Sequence, residues 1–163
     1  MSSVNYGVIL KYSDSSAPSP GTIEIHKGLI RSFGYTWLGK FGKITGKSIY
    51  STLNEQLKNN IPTYIFLLNK AYTIKHNTIH CCNVTDITYQ RSNVDVYPDY
   101  YPKSIKSWFK ITSISQLNSE VLNRFYGRAS RIPITSTMYR SMSPLITIYY
   151  DQNLSFEDYL QQE

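Results

Sequence analysis

The feature that most constrains the fold is a short, uninterrupted apolar run in the middle of the chain. Residues 63–68 read TYIFLL and contain the β-branched and aromatic side chains that are typical of strands. A run of this length and composition predicts a buried β-strand. Further strands are predicted at residues 6–12, 71–74, 78–89, 108–114 and 144–150.

Segments with helical periodicity separate these strands. Apolar side chains at positions 49, 53 and 57 fall on one face after Ser48, a candidate N-cap, which predicts a helix over residues 49–59. Two more helices are predicted at residues 23–33 and 115–126, the second with Ser115 as its N-cap. Loops are predicted at residues 13–21, 90–102 and 128–140. This order indicates an α+β fold with a mixed, strongly curved β-sheet or barrel flanked by helices.

The length of the chain favours a single domain. We expect residues 1–150 to form this domain and residues 151–163 to form an acidic C-terminal helix or linker. No apolar run approaches the length of a membrane span, and the N-terminus lacks the pattern of a signal peptide. The expected location is therefore the cytoplasm.

Positive charge is concentrated in the predicted domain. Residues 1–150 carry 17 basic and 7 acidic side chains, a net charge of +10, whereas residues 151–163 carry four acids and no Lys or Arg. Residues 25–54 and residues 121–150 contain no acid at all. Long basic stretches of this kind suit a polyanion such as nucleic acid, and 15 tyrosines offer faces on which bases can stack.

The sequence contains no recognisable catalytic or metal-binding motif. Cys81 and Cys82 are adjacent, and with His80 they indicate a buried strand rather than a zinc site, which requires spaced ligands. A G-x-S-x-G elbow is absent, and the glycines at 42 and 46 lie one residue too close for a phosphate-binding loop. We therefore expect no catalytic residues, no metal and no cofactor.

One segment is similar to a known group of domains. The stretch GYTWLGK at residues 34–40 resembles the tryptophan-bearing segment of the EVE and YTH domains, which belong to the PUA-like superfamily. Short stretches elsewhere are similar to these domains in the same order along the chain, at residues 8–13, 61–67, 79–84, 109–114 and 131–135. The resemblance implies a PUA-like fold with a pocket that accepts one flipped, modified base. Such domains commonly form the N-terminal specificity module of McrBC-type, modification-dependent restriction systems.

The resemblance also implies which side chains form the pocket. Trp37 is the first candidate for an aromatic wall, because a tryptophan among glycines and lysines is readily exposed to a partner. Ile105 stands where the YTH pattern has a second tryptophan, which leaves the second wall to nearby aromatic residues. The candidates for the wall are Trp37, Trp108, Tyr100 and Tyr101, and the candidates for hydrogen bonds to the base edge are Ser13 and Asn69.

Basic side chains near these segments are candidates for contacts with the nucleic-acid backbone. They are Lys40, Lys43, Lys47, Arg124, Arg128 and Arg131. The predicted function is a non-catalytic reader of modified double-stranded DNA, with any nuclease or NTPase activity on another domain or subunit. An RNA-binding PUA-like domain and a small enzyme or protein-interaction module are the alternatives. N6-methyladenine and a 5-substituted cytosine are equally compatible with the sequence.

Overall fold

A computed structural model describes residues 3–42, 47–70, 78–136 and 144–161, excluding the side chains of residues 47 and 136. These residues contain seven strands and two α-helices. In chain order they are β1 (Val4–Tyr12), α1 (Thr22–Phe33), β2 (Thr36–Lys40), α2 (Lys47–Lys58), β3 (Tyr64–Asn69), β4 (Thr78–Thr88), β5 (Ser107–Asn118), β6 (Tyr126–Gly127) and β7 (Leu145–Asp151). Short 3₁₀ helices cover Arg91–Asn93, Ser119–Arg124, Ile134–Ser136 and Phe156–Tyr159.

The strands form one mixed sheet in the order β2-β5-β4-β3-β1-β7-β6. β1 and β3 pair in parallel, with Val8 opposite Ile65 and Tyr12 opposite Asn69, and every other strand pair is antiparallel. Both helices lie in the connection between the two parallel strands, since a parallel pair requires a long crossover. The predicted α+β fold with a mixed sheet is confirmed, and within the described residues the sheet is open, with β2 and β6 at its edges.

The apolar run of β3 is continuous because both faces of the central sheet are covered. Ile65 and Leu67 point to a core that includes side chains of α2. Phe66 and Leu68 point to the opposite core, which contains the 3₁₀ helix Ser119–Arg124. Alternate side chains of a strand face opposite sides of the sheet, so a strand between two covering layers has no polar side.

The predicted burial of the cysteine pair is also confirmed. Cys81 and Cys82 lie in β4 with 6% and 0% of their surface exposed, and they face opposite cores. Burial raises the pKa of the Cys81 thiol to about 12. Both thiols therefore remain protonated at neutral pH and act as small apolar side chains.

The predicted helix over residues 115–126 is wrong. β5 continues to Asn118, because this stretch pairs with β4 and places Leu117 opposite Ile79. The side chain of Asn118 then accepts a hydrogen bond from the backbone N–H of Glu120 and begins the 3₁₀ helix. The apolar spacing of residues 117–125 is compatible with a helix, but the long pairing with β4 determines the structure.

The remaining elements match the predictions to different degrees. α1 and α2 occupy the two helical segments predicted before residue 60, and β1, β3, β4 and β7 occupy predicted strands. β2 was not predicted, because its glycine and lysine content is atypical of a strand. The predicted strand at residues 71–74 lies outside the described residues. No helix in the described part of the chain is long and apolar enough to cross a membrane.

The acidic C-terminal segment packs against the sheet. Its 3₁₀ helix, Phe156–Tyr159, places the Phe156 ring 4.9 Å from the ring centre of Tyr64 and 5.4 Å from that of Phe66. Farther along, the backbone N–H of Gln161 donates to the carbonyl of Gln116 at 2.9 Å. These contacts cover the second core on the face opposite α2.

Candidate functional site

A cavity of about 260 Å³ lies at the carboxyl ends of the two parallel strands. β1 ends at Tyr12 and β3 ends at Asn69, and the parallel pairing makes both chains leave the sheet at the same edge. The floor of the cavity is apolar and consists of Leu10, Leu38 and Leu67. Space outside the carboxyl ends of parallel strands is a common place for ligands in open sheets, so this cavity is the candidate site.

Aromatic side chains form one wall of the cavity. Tyr101 is only 7% exposed, and two more accessible rings contact it edge to face. The ring of Phe41 lies 5.3 Å away at 86°, and the ring of Tyr100 lies 5.2 Å away at 89°. Phe41 is 43% exposed, which leaves part of its surface available to a ligand. The wall therefore combines a fixed ring with two accessible ones.

The hydroxyl of Tyr101 is held by a buried hydrogen-bond network. His26 is fully buried, and burial lowers its pKa to about 4, so its ring is neutral at neutral pH. Its Nδ1 lies 2.7 Å from the carbonyl of Thr22, which can only accept, so Nδ1 carries the proton. Nε2 is then an acceptor and receives the hydroxyl proton of Tyr101. The backbone N–H of Gly39 completes the network by donating to the Tyr101 oxygen at 3.3 Å.

Gly39 has no side chain because Tyr101 and its neighbours occupy the space above it. A Cβ at this position would lie 2.8 Å from two carbons of Ile105 and 3.1 Å from the Tyr101 ring. Any larger residue would have to displace Ile105, and with it Tyr101, from β2. The glycine that makes β2 difficult to recognise from sequence is therefore a requirement of the site.

A polar rim connects the loop after β1 to α1 and β3. The carboxylate of Asp14 accepts hydrogen bonds from the backbone N–H of Thr22 at 3.0 Å and from the side chain of Asn69 at 3.3 Å. Ser13 lines the cavity, and its hydroxyl donates to the hydroxyl of Ser15 at 3.0 Å. Asn69 stands beside the cavity and fixes this loop rather than lining the space itself.

Three lysines line the cavity at increasing depth. Lys70 is exposed, Lys11 is half-buried, and Lys40 is only 5% exposed. The ammonium group of Lys40 donates to the carbonyl of Phe41 at 3.3 Å. Burial, and then the positive charge of Lys70, lowers the pKa of both Lys11 and Lys40. The described lining contains no Asp or Glu, so positive charge predominates in the cavity, with the carboxylate of Asp14 at its rim.

The two tryptophans lie behind this wall rather than in the lining. Trp37 and Trp108 are 3% and 0% exposed and pack with Ile105 and Tyr101 in a closed cluster. The expected exposure of Trp37 is therefore corrected. The loop before β5 covers it, because its indole N–H donates to Asp95 and its backbone N–H donates to the carbonyl of Val96. Of the predicted wall residues, Tyr100 and Tyr101 line the cavity.

The basic residues that were predicted to contact the nucleic-acid backbone fall into two groups. Lys40 lines the cavity, whereas Arg124, Arg128 and Arg131 lie around β6, two strands beyond β1. Arg128 donates to the hydroxyls of Ser48 and Thr52 in α2, at 3.4 and 3.1 Å. Arg124 and Arg131 are exposed. Lys43 and the side chain of Lys47 lie outside the described residues.

Several lining residues were not recognised in the sequence, although a signal for two of them exists. Lys11 and Lys70 come at or directly after the ends of the two apolar runs that become the parallel pair. Polar side chains at those ends converge only if the strands are parallel, which the sequence does not reveal. Phe41 and Tyr12 lack any comparable signal, because isolated aromatic residues more often belong to the core.

The fold and the cavity define an α+β binding domain with a basic, aromatic-walled pocket. A family model described as Pua-like matches residues 8–159, nearly the whole chain, so the protein belongs to the Pua-like family. This confirms the resemblance to the PUA-like superfamily. Pua-like domains generally bind nucleic acid, so the chain carries a nucleic-acid-binding fold. No curated protein and no solved structure matches the chain.

Proposed function

We propose that the protein reads modified nucleic acid by holding one flipped base in the cavity between the ends of β1, β2 and β3. The observation that supports this most directly is the cavity itself, whose lining combines accessible aromatic rings with apolar side chains. Its volume of about 260 Å³ lies just below the range of roughly 300–1,000 Å³ that is typical of pockets for drug-sized ligands. A space of this size is large enough to hold one base.

The energetics of flipping require contributions from two parts of the protein. Extracting a base from a duplex costs a few kcal/mol, and aromatic stacking returns about 1–3 kcal/mol per base. A methyl group on the apolar floor adds about 0.8 kcal/mol, which is a modest preference. Contacts with phosphates must therefore supply most of the affinity. The exposed Arg124 and Arg131 and the partly exposed Arg128 are suitable groups, in addition to the lysines at the cavity.

The composition of the cavity suits the binding of a base. Its described lining combines aromatic and apolar side chains with lysines and hydroxyls, and it holds no His, Cys, Asp or Glu. His26 is fully buried and bonded through both ring nitrogens. We propose that the domain is a specificity module for modified DNA and that any nuclease or NTPase activity lies on another domain or subunit.

Equilibrium binding of matched oligonucleotides tests this proposal. The set comprises unmodified DNA, DNA with N6-methyladenine, DNA with 5-methylcytosine, and the RNA counterparts, each measured at several salt concentrations. Two variants accompany the wild-type protein. Phe41→Ala removes an accessible ring from the cavity, and Phe33→Ala removes a ring that is 59% exposed at the end of α1, outside the lining.

The proposal predicts tighter binding of one modified DNA, with that preference lost in Phe41→Ala and kept in Phe33→Ala. Affinity should fall steeply with salt, because phosphate contacts release counterions. A preference for the RNA series would instead indicate an RNA-binding Pua-like domain, because only RNA offers the 2′-hydroxyl. Equal binding of all oligonucleotides by all three proteins would contradict the reader function.

A further inference from the structure

We infer that the cavity binds a base or nucleotide in which an anionic group, a carboxylate or a phosphate, lies next to the aromatic ring. This inference rests on the proposed function, because it assumes that the base enters this cavity. It adds the chemical class of the ligand. A neutral methylated base would contact the rings and the apolar side chains but would make no charge-assisted contact with the lysines.

The convergence of three ammonium groups is the first observation. Lys11 and Lys40 belong to β1 and β2, and Lys70 directly follows β3, so three separate segments contribute one lysine each. They lie close enough for the charge of Lys70 to lower the pKa of the other two, in addition to the effect of burial. These like charges repel one another, and an anion placed among them would be attracted to all three and would offset their repulsion.

The depth of Lys40 is the second observation. Ammonium groups are rarely buried, because removing a charge from water is unfavourable. Lys40 is 5% exposed and still lines the cavity, with its side chain on the same face of β2 as Leu38. A purely apolar base pocket would gain from an uncharged side chain here. The ammonium group is well placed for an anion that enters below the rim.

Hydroxyl groups line the same cavity as the lysines. The loop after β1 contributes Ser15 and Ser16, whose hydroxyls can donate hydrogen bonds to an anionic oxygen, and Ser13, whose hydroxyl donates to that of Ser15. Hydrogen bonds to an ionised acceptor are about twice as strong as those between neutral groups. Phe41 and Tyr100 belong to the same lining. The cavity therefore offers both aromatic rings and ammonium groups to one small ligand.

Binding of a graded ligand series tests the inference. One arm uses DNA of a single sequence with cytosine, 5-methylcytosine, 5-formylcytosine or 5-carboxylcytosine at one position. Formyl and carboxyl groups are similar in size, so their comparison isolates the charge. The other arm uses deoxycytidine and deoxycytidine 5′-monophosphate. The first arm detects an acidic group on a base within a strand, and the second detects a phosphate at a nucleotide end.

The proteins are the wild type, Lys70→Gln, Lys40→Gln and the control Lys58→Gln. Lys58 is an exposed lysine at the end of α2, outside the described lining. Lys70 is also exposed, so its replacement should leave the fold intact and keeps the test valid if Lys40→Gln fails to fold. Thermal unfolding of each variant checks this directly.

We expect one anionic ligand to bind about tenfold or more tightly than its neutral partner, the size of one charge-assisted hydrogen bond. Lys70→Gln should reduce that ratio several-fold, and Lys58→Gln should not change it. Equal binding of charged and neutral partners, with a base preference that still depends on Phe41, would overturn this inference alone. If neither the wild type nor Phe41→Ala prefers any of the bases, the proposed function is overturned as well.

Discussion

Two aromatic clusters meet at Tyr101, and only one of them is open to solvent. On one side Phe41 and Tyr100 contact its ring and line a cavity with basic walls. On the other side Trp37 and Trp108 pack with it in a cluster that is closed by the loop before β5. Both clusters are built from the same kinds of side chain. Tyr101 belongs to both, and Tyr100 also packs against the closed one.

The backbone explains the difference. The parallel pair ends at Tyr12 and Asn69, where the chains diverge and leave a space beyond the sheet. β2 is an edge strand, and the loop that carries Asp95 and Val96 bonds to it and covers its outer side chains. Residue type therefore does not distinguish the wall of a ligand site from a core. The two are distinguished by their position, because one lies beyond the ends of strands and the other lies under a loop that covers an edge strand.

The largest effect on stability should come from removing a ring from the closed cluster. Trp108→Ala removes a fully buried ring between Tyr97 and Tyr101 and should lower the free energy of unfolding by about 3–5 kcal/mol. Urea denaturation measures the loss. Phe33→Ala, at an exposed site, should change stability by less than about 0.5 kcal/mol. Similar values for the two variants would show that the cluster is not a packed core.

The buried hydrogen-bond network of His26 and Tyr101 should make stability depend on pH. The pKa of His26 is about 4 in the folded protein and near 6.5 in the unfolded chain. Between these two pH values the unfolded chain binds a proton at this histidine and the folded protein does not. This contribution is complete above pH 6.5 and is lost as pH falls towards 4, by about 3 kcal/mol in total. His26→Gln should show a flatter profile in urea denaturation between pH 7 and pH 4.5. An unchanged profile would contradict the buried, neutral histidine.

Removing a ring from the open cluster should separate binding from stability. Phe41→Ala should weaken the binding of the preferred oligonucleotide by about 1–3 kcal/mol, the contribution of one stacked base. Stability should change by less than about 1 kcal/mol, because Phe41 is already 43% exposed. Titration and urea denaturation of the same preparation measure both quantities. A stability loss without a loss of affinity would place Phe41 in the core instead.

The smallest effect should come from loosening the loop that closes the tryptophan cluster. Asp95 accepts hydrogen bonds from the hydroxyl of Tyr35 at 2.6 Å and from the indole of Trp37 at 3.1 Å, and the bond from Tyr35 is the main reason its pKa is lowered. Asp95→Asn should lower Tm at pH 7 by about 2–4 °C, the size of one net hydrogen bond.

The difference between wild type and Asp95→Asn should disappear in acid. A lowered folded pKa stabilises the protein above the usual Asp pKa near 3.8, and the benefit is lost as pH falls through the folded value. Thermal unfolding from pH 7 to pH 2.5 follows this change. Affinity for the oligonucleotide should stay within about twofold, because Asp95 lies outside the cavity lining. A large loss of affinity would mean that the two clusters are coupled.

The sequence predicted the elements that local patterns define. Apolar runs located β1 and β3, and helical spacing located α2. β2 was missed, because Gly39 is required by the close approach of Ile105 and Tyr101, residues that are distant in the sequence. The helix over residues 115–126 was predicted wrongly, because pairing between β4 and β5 overrides local spacing.

The site was harder to predict, because it also depends on contacts between residues that are distant in the sequence. Tyr100, Tyr101, Ser13 and Lys40 were proposed and do line the cavity, but the role of each remains a prediction. Trp37 is buried by a loop whose path no local pattern reveals. Lys11 and Lys70 come together only through the parallel register of β1 and β3. Contacts that depend on strand direction are invisible in a single sequence.

An NMR titration with the preferred oligonucleotide shows whether the base enters the open cluster or the closed one. The chain has only two tryptophans, so two indole N–H signals report on the closed cluster. Backbone amides of Gly39, Phe41 and Tyr100 report on the cavity. On addition of the preferred oligonucleotide, these amide signals should shift strongly and the indole signals only slightly. Strong shifts of the indole signals with unchanged amides at the cavity would contradict the account.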